Sequence, residues 1–402
     1  MISSIWRDFS ISATVAGFIA LLATYSGPML IVVQAGQSAD LSLQIMSTWI
    51  WALSIGAAIV GLVLSVTYRI PVIGAWSTPG VALLITALSQ YSFSDVIGCY
   101  LVLAVIVALL GWSGLFTKLI ERLPISILSA MIAGVLFQFC AKIFQSLQAV
   151  PRLVLPVIVV YLLCRRIIPR YALAFALLVG LILAMVNSPV TDYDPGLALV
   201  QPVMTTPTFS SATLFGLGLP LLLLALTQYA TGVAVLKSAG YEVSARTIVG
   251  VSGLVSVPLA LFGCSGINPA AIVGALCSGP ECHADPSRRY VAGIVCAIGY
   301  ACIGVFGLSV VAMFALLPSA LITVLAGLAL LSTLVSSLTS SLMQEKDREA
   351  ALITFIVTVS GMSFFGLGSA LWGLIAGLIF SNILSWPGFG KIIPNRLRGY
   401  VK

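Results

Sequence analysis

The 402-residue sequence predicts an all-α polytopic membrane protein. Its fourteen transmembrane segments form two inverted repeats of seven, with the third and tenth segments discontinuous, each a short strand followed by a half-helix. Three observations predict this fold class. Hydrophobic residues make up 60% of the chain and charged residues 8%, with a mean hydropathy of +1.14; a soluble domain carries roughly a quarter charged residues. The apolar runs have the length of about 20 residues that a helix needs to cross hydrocarbon, without the alternation of membrane barrel strands. Matched motifs also recur seven segments apart.

In chain order the spans read 11–34, 42–67, 70–89, 95–117, 123–141, 152–164, 170–187, 210–236, 246–262, 263–279, 290–314, 318–341, 350–365 and 367–386. The first follows Met1–Ser10 and is too long for the apolar region of a cleavable leader. The third and tenth are short and interrupted, and charge tests whether they cross. With fourteen crossings and both termini cytoplasmic, all but Lys142 and Arg152 of the 19 Lys and Arg residues fall inside, a strong positive-inside bias. Were the third and tenth segments not to cross, Lys118, Arg122, Arg165, Arg166, Arg170, Lys237 and Arg246 would face outward and the bias would be lost. The net charge of +7 is therefore a topology signal rather than a nucleic-acid footprint. The eight cysteines lie mostly inside apolar runs, as small hydrophobes do, and predict no disulfide framework.

Three motif pairs carry the repeat. YSGPMLIVVQAG (25–36) pairs with YATGVAVLKSAG (229–240), LPISILSAMIAG (123–134) with LPSALITVLAG (317–327), and WSTPGVALL (76–84) with GINPAAIVG (266–274). Each pair is separated by seven spans, an odd number, so the second half inserts upside down. Inverted repeats with paired discontinuous segments are a recurrent transporter plan.

The broken segments locate the candidate site. Thr78-Pro79 and Asn268-Pro269 each read as an N-cap followed by proline at the first helical position. Extended stretches precede them, at 71–75 and 263–266. Two half-helix N-termini would then face each other near the midplane, each with unpaired N–H groups and about half a positive charge. Together they suit a small anion such as a carboxylate without Lys or Arg. The blander reading, that Pro and Gly merely kink two packed helices, is weaker for a matched pair than for either segment alone.

Neighbouring spans supply polar groups. The candidate substrate contacts are Tyr25, Ser26, Trp76, Ser77, Thr78, Gly80, Gln228, Tyr229, Gly266 and Asn268. An intramembrane Gln is costly unpaired, so Gln228 faces the cavity or bonds another helix; Thr231 reads equally well as interhelical glue. Tyr25 and Trp76 read either as an aromatic stacking surface or as packing. No Asp, Glu, Lys, Arg or His sits near the middle of any span, whereas cation carriers and proton pumps usually keep a buried carboxylate. The only histidine, His283, lies in the loop CSGPECHADPSRRY (277–290). Glu281 and His283 flank the tenth segment there and are the candidates for proton coupling. Cys277, Cys282, His283 and Asp285 match no standard zinc spacing, and no cofactor is expected. No Ser–His, paired-Asp or HExxH constellation lies in the spans, so an enzyme is not expected.

The runs PVIGAWSTPGVALL (71–84), QYATGVAVLKSAGY (228–241) and above all INPAAIVGALCSGPECHADPSRRYVAG (267–293) resemble the benzoate:proton symporter (BenE-type) family over essentially the whole chain. That family is related to nucleobase permeases and sulfate-type anion carriers. The resemblance implies a core domain from 1–118 and 210–315 and a gate domain from 119–190 and 316–390. An extracytoplasmic linker (191–209) and a cytoplasmic tail (391–402) complete the chain. It also implies a bacterial inner-membrane carrier moving core against gate by alternating access, and a homodimer as in relatives. Nucleobase permeases carry acids on the eighth and tenth segments, where this chain has Gln228 and Ala270-Ala271, which fits an anionic ligand. The expected activity is proton-coupled uptake of benzoate or a similar small carboxylate. A related carrier of another anion or a nucleobase, or a channel-like anion pathway, is the alternative.

Overall fold

The computed structural model describes residues 7–187, 198–315 and 317–385. Serine opens several spans for a physical reason. The first N–H groups of a helix have no intrahelical acceptor, and a side-chain oxygen can supply one. Ser10 caps α1 (Ile11–Ser26) by accepting from Ala13 N at 3.2 Å. After Gly27 the same span resumes as α2 (Pro28–Ser38), with Pro28 at the first helical position. Ser42 caps α3 (Leu43–Tyr68) through Ile45 N at 3.3 Å. The third segment is a strand, β1 (Gly74–Trp76), followed by the half-helix α4 (Thr78–Ala87). Ser92 caps α5 (Phe93–Ser113), which stops at Gly114 in the left-handed region (φ 73) and turns into the short α6 (Leu115–Ile120). The half closes with α7 (Ile125–Ala149), α8 (Pro151–Ile167) and α9 (Ala172–Asn187).

The second half repeats the order. Helix α10 (Ser211–Ser238) is π-wound over Leu214–Gly218, and Ser244 caps α11 (Ala245–Ala260). The tenth segment is again strand plus half-helix, β2 (Ile267–Pro269) and α12 (Ala271–Ser278). Then follow α13 (Tyr290–Val305), α14 (Gly307–Ala315), α15 (Ser319–Leu342), α16 (Arg348–Val359) and α17 (Ser369–Ser385). The chain thus forms fourteen membrane segments, seven plus seven inverted, with the third and tenth broken. Pro124 and Pro318 open the matching helices α7 and α15, as the LPIS/LPSA repeat requires.

Several boundaries differ from the sequence reading, among them the thirteenth, whose helix ends at Val359 rather than 365. The fifth span runs to Ala149 rather than 141, because nothing in KIFQSLQA breaks a helix before Pro151. Lys142 therefore lies inside α7, with its ammonium 5.4 Å from the Phe139 ring centroid. The eleventh span is interrupted at Phe306, between α13 and α14. The tail 391–402 and residues 191–197 of the expected linker lie outside the described residues.

The helices pack in two sets. Helix α7 packs on α15, α16 and α17, and α8 packs on α9. In the other set α5 packs on α11, α3 on α13, and α13 on α1. Of the broken segments, α4 contacts both α2 and α7 and so bridges toward the α7 set, whereas α12 contacts α10 and α1.

Candidate functional site

The strands meet inside the bundle. β1 and β2 pair antiparallel, with Gly74 opposite Pro269, Ala75 opposite Asn268 and Trp76 opposite Ile267. Ala270 N–H donates to Ile73 O at 2.8 Å and lengthens the ladder. All six strand residues are buried, where an unpaired amide would cost several kcal/mol. Neighbouring helices satisfy the outer edges. Ser65 on α3 both donates to Val72 O and accepts from Val72 N, each at 3.2 Å. On α11, Ser256 accepts from Ile267 N at 3.2 Å, and Tyr229 on α10 donates to Ile267 O at 2.7 Å. Gly266 reaches this geometry at φ 102, a region that disfavours residues with a Cβ.

The ladder and the two half-helix starts, capped at Ser77 and Ala270, together set which residues are equivalent and correct the sequence alignment. A two-fold relation that exchanges the strands equates Gly74 with Ile267 and Trp76 with Pro269, and therefore Ser77 with Ala270. The motifs WSTPG and GINPA are thus three residues out of register. Thr78 and Asn268 are not the N-caps. Ser77 caps α4, accepting from Gly80 N at 3.1 Å, with Thr78 and Pro79 inside the first turn. Asn268 and Pro269 lie in β2, and the N-cap of α12 is Ala270, which has no side-chain acceptor.

The two half-helix starts are consequently unequal. In α4 the Gly80 amide is occupied by Ser77 and Pro79 has none, which leaves Thr78 N–H. In α12 the amides of Ala271, Ile272 and Val273 precede the first intrahelical bond and receive no side-chain cap. The start with more uncapped amides is therefore that of α12. Burial differs in parallel. Pro79 and Ala82 are buried in α4, whereas their equivalents Ile272 (74% exposed) and Ala275 are exposed in α12.

Around the ladder, Asn268 Nδ2 donates to Gln228 Oε1 at 3.0 Å. A cavity of about 30 Å³ lies beside it, lined by Ser77, Gly80, Tyr229, Ser265, Gly266 and Asn268 among others. That is room for roughly one or two waters. Tyr25 and Trp76 line a different place. Their rings pack edge-on at 6.0 Å, and each also packs on Tyr300. The Tyr25 hydroxyl is bonded to Ser54 Oγ at 2.5 Å, while Trp76 Nε1 is buried without a partner. Of Ser26, the last residue of α1, only the backbone is described. Thr231 bonds its own helix, donating to Gln228 O at 3.0 Å.

Glu281 and His283 lie beyond the C-terminus of α12, and the eight residues of that half-helix separate them from the ladder by roughly 12 Å. His283 Nδ1 accepts from Asp285 N at 3.0 Å. The hydroxyl and amide of Ser287 donate to the Asp285 carboxylate and hold it below its ordinary range. Burial pushes the Cys282 thiol up to about 11, so it is a neutral packing group at physiological pH. Arg289 organises this loop. Its buried guanidinium donates to Ser278 O and His283 O, each at 2.7 Å, and to Ala284 O at 3.4 Å. It thereby places a positive charge at the negative end of α12.

Sequence reasoning missed Ser65, Ser256, Ser265 and Tyr300. Serines one turn inside apolar spans gave a weak signal for the first two. Ser265 Oγ is buried and unpartnered beside Gly266, and only the tertiary fold brings Tyr300 to Trp76.

Comparisons with known proteins agree with this architecture. A family model described as benzoate membrane transport protein matches residues 7–383. The benzoate membrane transport protein of Acinetobacter baylyi is 39% identical over 388 residues, spanning 96% of this chain and 98% of that one. The inner membrane protein YdcO of Escherichia coli is 38% identical over 382 residues, 94% and 98% of the respective chains. Among solved structures, the anion transporter SLC26A9 superposes with a TM-score of 0.60 at 13% identity, covering 95% of this chain and 67% of that one. The transmembrane domain of the cyanobacterial bicarbonate transporter BicA gives 0.59 at 16% identity, with 92% and 97% covered. These last two show the fold alone. With the family model and both relatives spanning nearly its whole length, the chain is a multi-pass membrane transport protein and belongs to the benzoate membrane transport protein family.

Proposed function

We propose that this chain is a secondary carrier that takes up benzoate, or a similar small aromatic carboxylate, together with a proton. The observation that carries the reading is the start of α12. Three neighbouring amides stand free at a positive helix pole beside a satisfied strand ladder, with no Lys or Arg side chain needed to hold an anion. The family and the named relative support benzoate as the cargo. Ser77, Thr78, Gly80, Gln228, Tyr229, Gly266 and Asn268 are the residues of this site and its frame, while Tyr25 and Trp76 pack with Tyr300 apart from the cavity. Within them, Ser77, Tyr229 and Gly266 hold the backbone, and Gln228 reaches the ligand.

In this reading the helices packed on α7 and α15 are a gate, and the broken segments with α1, α3, α5, α10, α11 and α13 are a moving core. With both termini cytoplasmic in an inner membrane, α4 is the outer half-helix and α12 the inner one. The outer half is covered, with Leu83 against the Ile127 and Met131 cluster of α7; the inner half exposes Ile272. That asymmetry supports an inward-facing arrangement, and alternating access would cover α12 and uncover α4. A carboxylate and a proton moving together cross without net charge. Glu281 and His283, at the cytoplasmic end of α12, are proposed to receive the proton there. Proteoliposomes with an imposed pH gradient test the reading. Benzoate should accumulate uphill and collapse with the gradient, whereas unitary currents without uphill accumulation would make the protein a channel.

A further inference from the structure

Asn268 stands at the centre of β2, 5% exposed, with its backbone held opposite Ala75. Its Nδ2 donates to Oε1 of Gln228 on α10 at 3.0 Å. A primary amide carries one acceptor oxygen and one NH₂ with two donors. When Asn268 occupies the oxygen, the edge that Gln228 has left for a ligand is its NH₂. Nε2 makes no other hydrogen bond among the described residues, and Gln228 is only partly buried. The reverse arrangement, with Gln228 donating to Asn268, would turn a carbonyl oxygen toward a carboxylate and repel it. Position favours the first arrangement. Asn268 lies two residues before the N-cap of α12, where the helix pole attracts the amide oxygen and leaves Nδ2 for Gln228.

We infer that Asn268 is a positioning residue that acts through Gln228, locking its amide so that a donor edge meets the substrate and a carboxylate is selected over an uncharged amide of the same shape. The ladder makes the lock stiff, because β2 is paired on one edge and bonded to Ser256 and Tyr229 on the other. A free glutamine rotates at little cost and would offer either edge. The inference rests on the carboxylate-carrier reading and adds to it the source of discrimination.

Benzoate and benzamide differ mainly in what their polar ends demand, so their ratio of dissociation constants reports the edge presented. The full-length protein is purified as wild type, Asn268→Ala, Gln228→Ala and the double variant, and both ligands are titrated by calorimetry. The wild type should prefer benzoate. Each single variant should lower that preference roughly tenfold to a hundredfold, the range of one hydrogen bond to a charged group. If Asn268 acts only by fixing the Gln228 amide, as inferred, the double variant should match Gln228→Ala alone. Unchanged preference in Asn268→Ala, or losses that multiply in the double variant, would overturn the inference while the carboxylate reading stands. A wild type without preference for benzoate would overturn the reading itself. If Asn268→Ala does not fold, Asn268→Ser, whose hydroxyl stops short of Gln228, carries the same expectations.

Discussion

The unequal half-helix starts lead to an experiment in which stability and binding move in opposite directions. Ser77 and Ala270 are equivalent N-caps with similar backbones, φ −73 and ψ 103 against φ −69 and ψ 125. A serine at 270 can therefore adopt the capping geometry of Ser77 and accept from the Ile272 or Val273 amide. Replacing an alanine N-cap by serine stabilises a helix by about 1 kcal/mol. The same cap removes one of the three amides assigned to the carboxylate. A hydrogen bond to a charged group is worth ~1.5–3 kcal/mol, so Ala270→Ser should weaken benzoate binding roughly tenfold to a hundredfold. Ala270→Asp should abolish it, because a fixed carboxylate would occupy the pole. The assay pairs thermal unfolding of the purified protein with benzoate titration on the same sample. A raised unfolding midpoint with unchanged benzoate affinity would show that the cap forms and that the α12 amides do not hold the substrate.

Four further outcomes follow from the same geometry. Ser77→Ala should cost about 1 kcal/mol of stability, while Thr78→Ala, which removes no cap, should leave the unfolding curve nearly unchanged. Gly232→Ala should abolish uptake without preventing membrane insertion, read by transport against surface expression, because a Cβ there would meet the backbone oxygen of Pro269. Arg289→Lys should fail to replace the guanidinium that holds three carbonyls; hydrogen exchange should rise across 278–284 and transport should fall. Glu281→Gln with His283→Ala should reduce accumulation driven by a pH gradient while the benzoate dissociation constant stays unchanged. A weakened dissociation constant would instead place those residues at the substrate.

Much of this architecture was legible because membranes restrict the choices. Charge placement required the broken segments to cross, and lipid then required their extended parts to find partners, which the β1–β2 ladder supplies. What the sequence concealed was register. Thr78-Pro79 and Asn268-Pro269 look alike, yet proline is compatible both with a helix's first turn and with a strand whose amide faces away from the ladder. Only the pairing of Ala75 with Asn268 decides between them. The same error hid the asymmetry, since counting Asn268 as a cap made both poles look alike. The sequence offers Tyr25 and Trp76 as stacking or packing rings, but not their third ring, Tyr300, because it arrives from a helix more than two hundred residues away in sequence.

In the proposed carrier cycle, the absence of Lys and Arg from the centre of the spans also has a reason. A carrier must return across its transition empty as well as loaded. A fixed cation placed to bind a carboxylate would be neutralised when loaded and unpaired in the bilayer when empty, at a cost of several kcal/mol. In the proposed carrier a half-helix pole would hold the anion through amide dipoles, so the empty site would carry no net charge to desolvate. The amide of Gln228 adds a donor on the same terms. With α4 already capped by Ser77 and α12 left open at Ala270, the proposal makes one half-helix the frame and the other the receptor. The division assigns binding strength to three backbone amides, which side-chain substitution cannot delete. It explains why the informative variant adds a hydroxyl at 270 rather than removing one at 78.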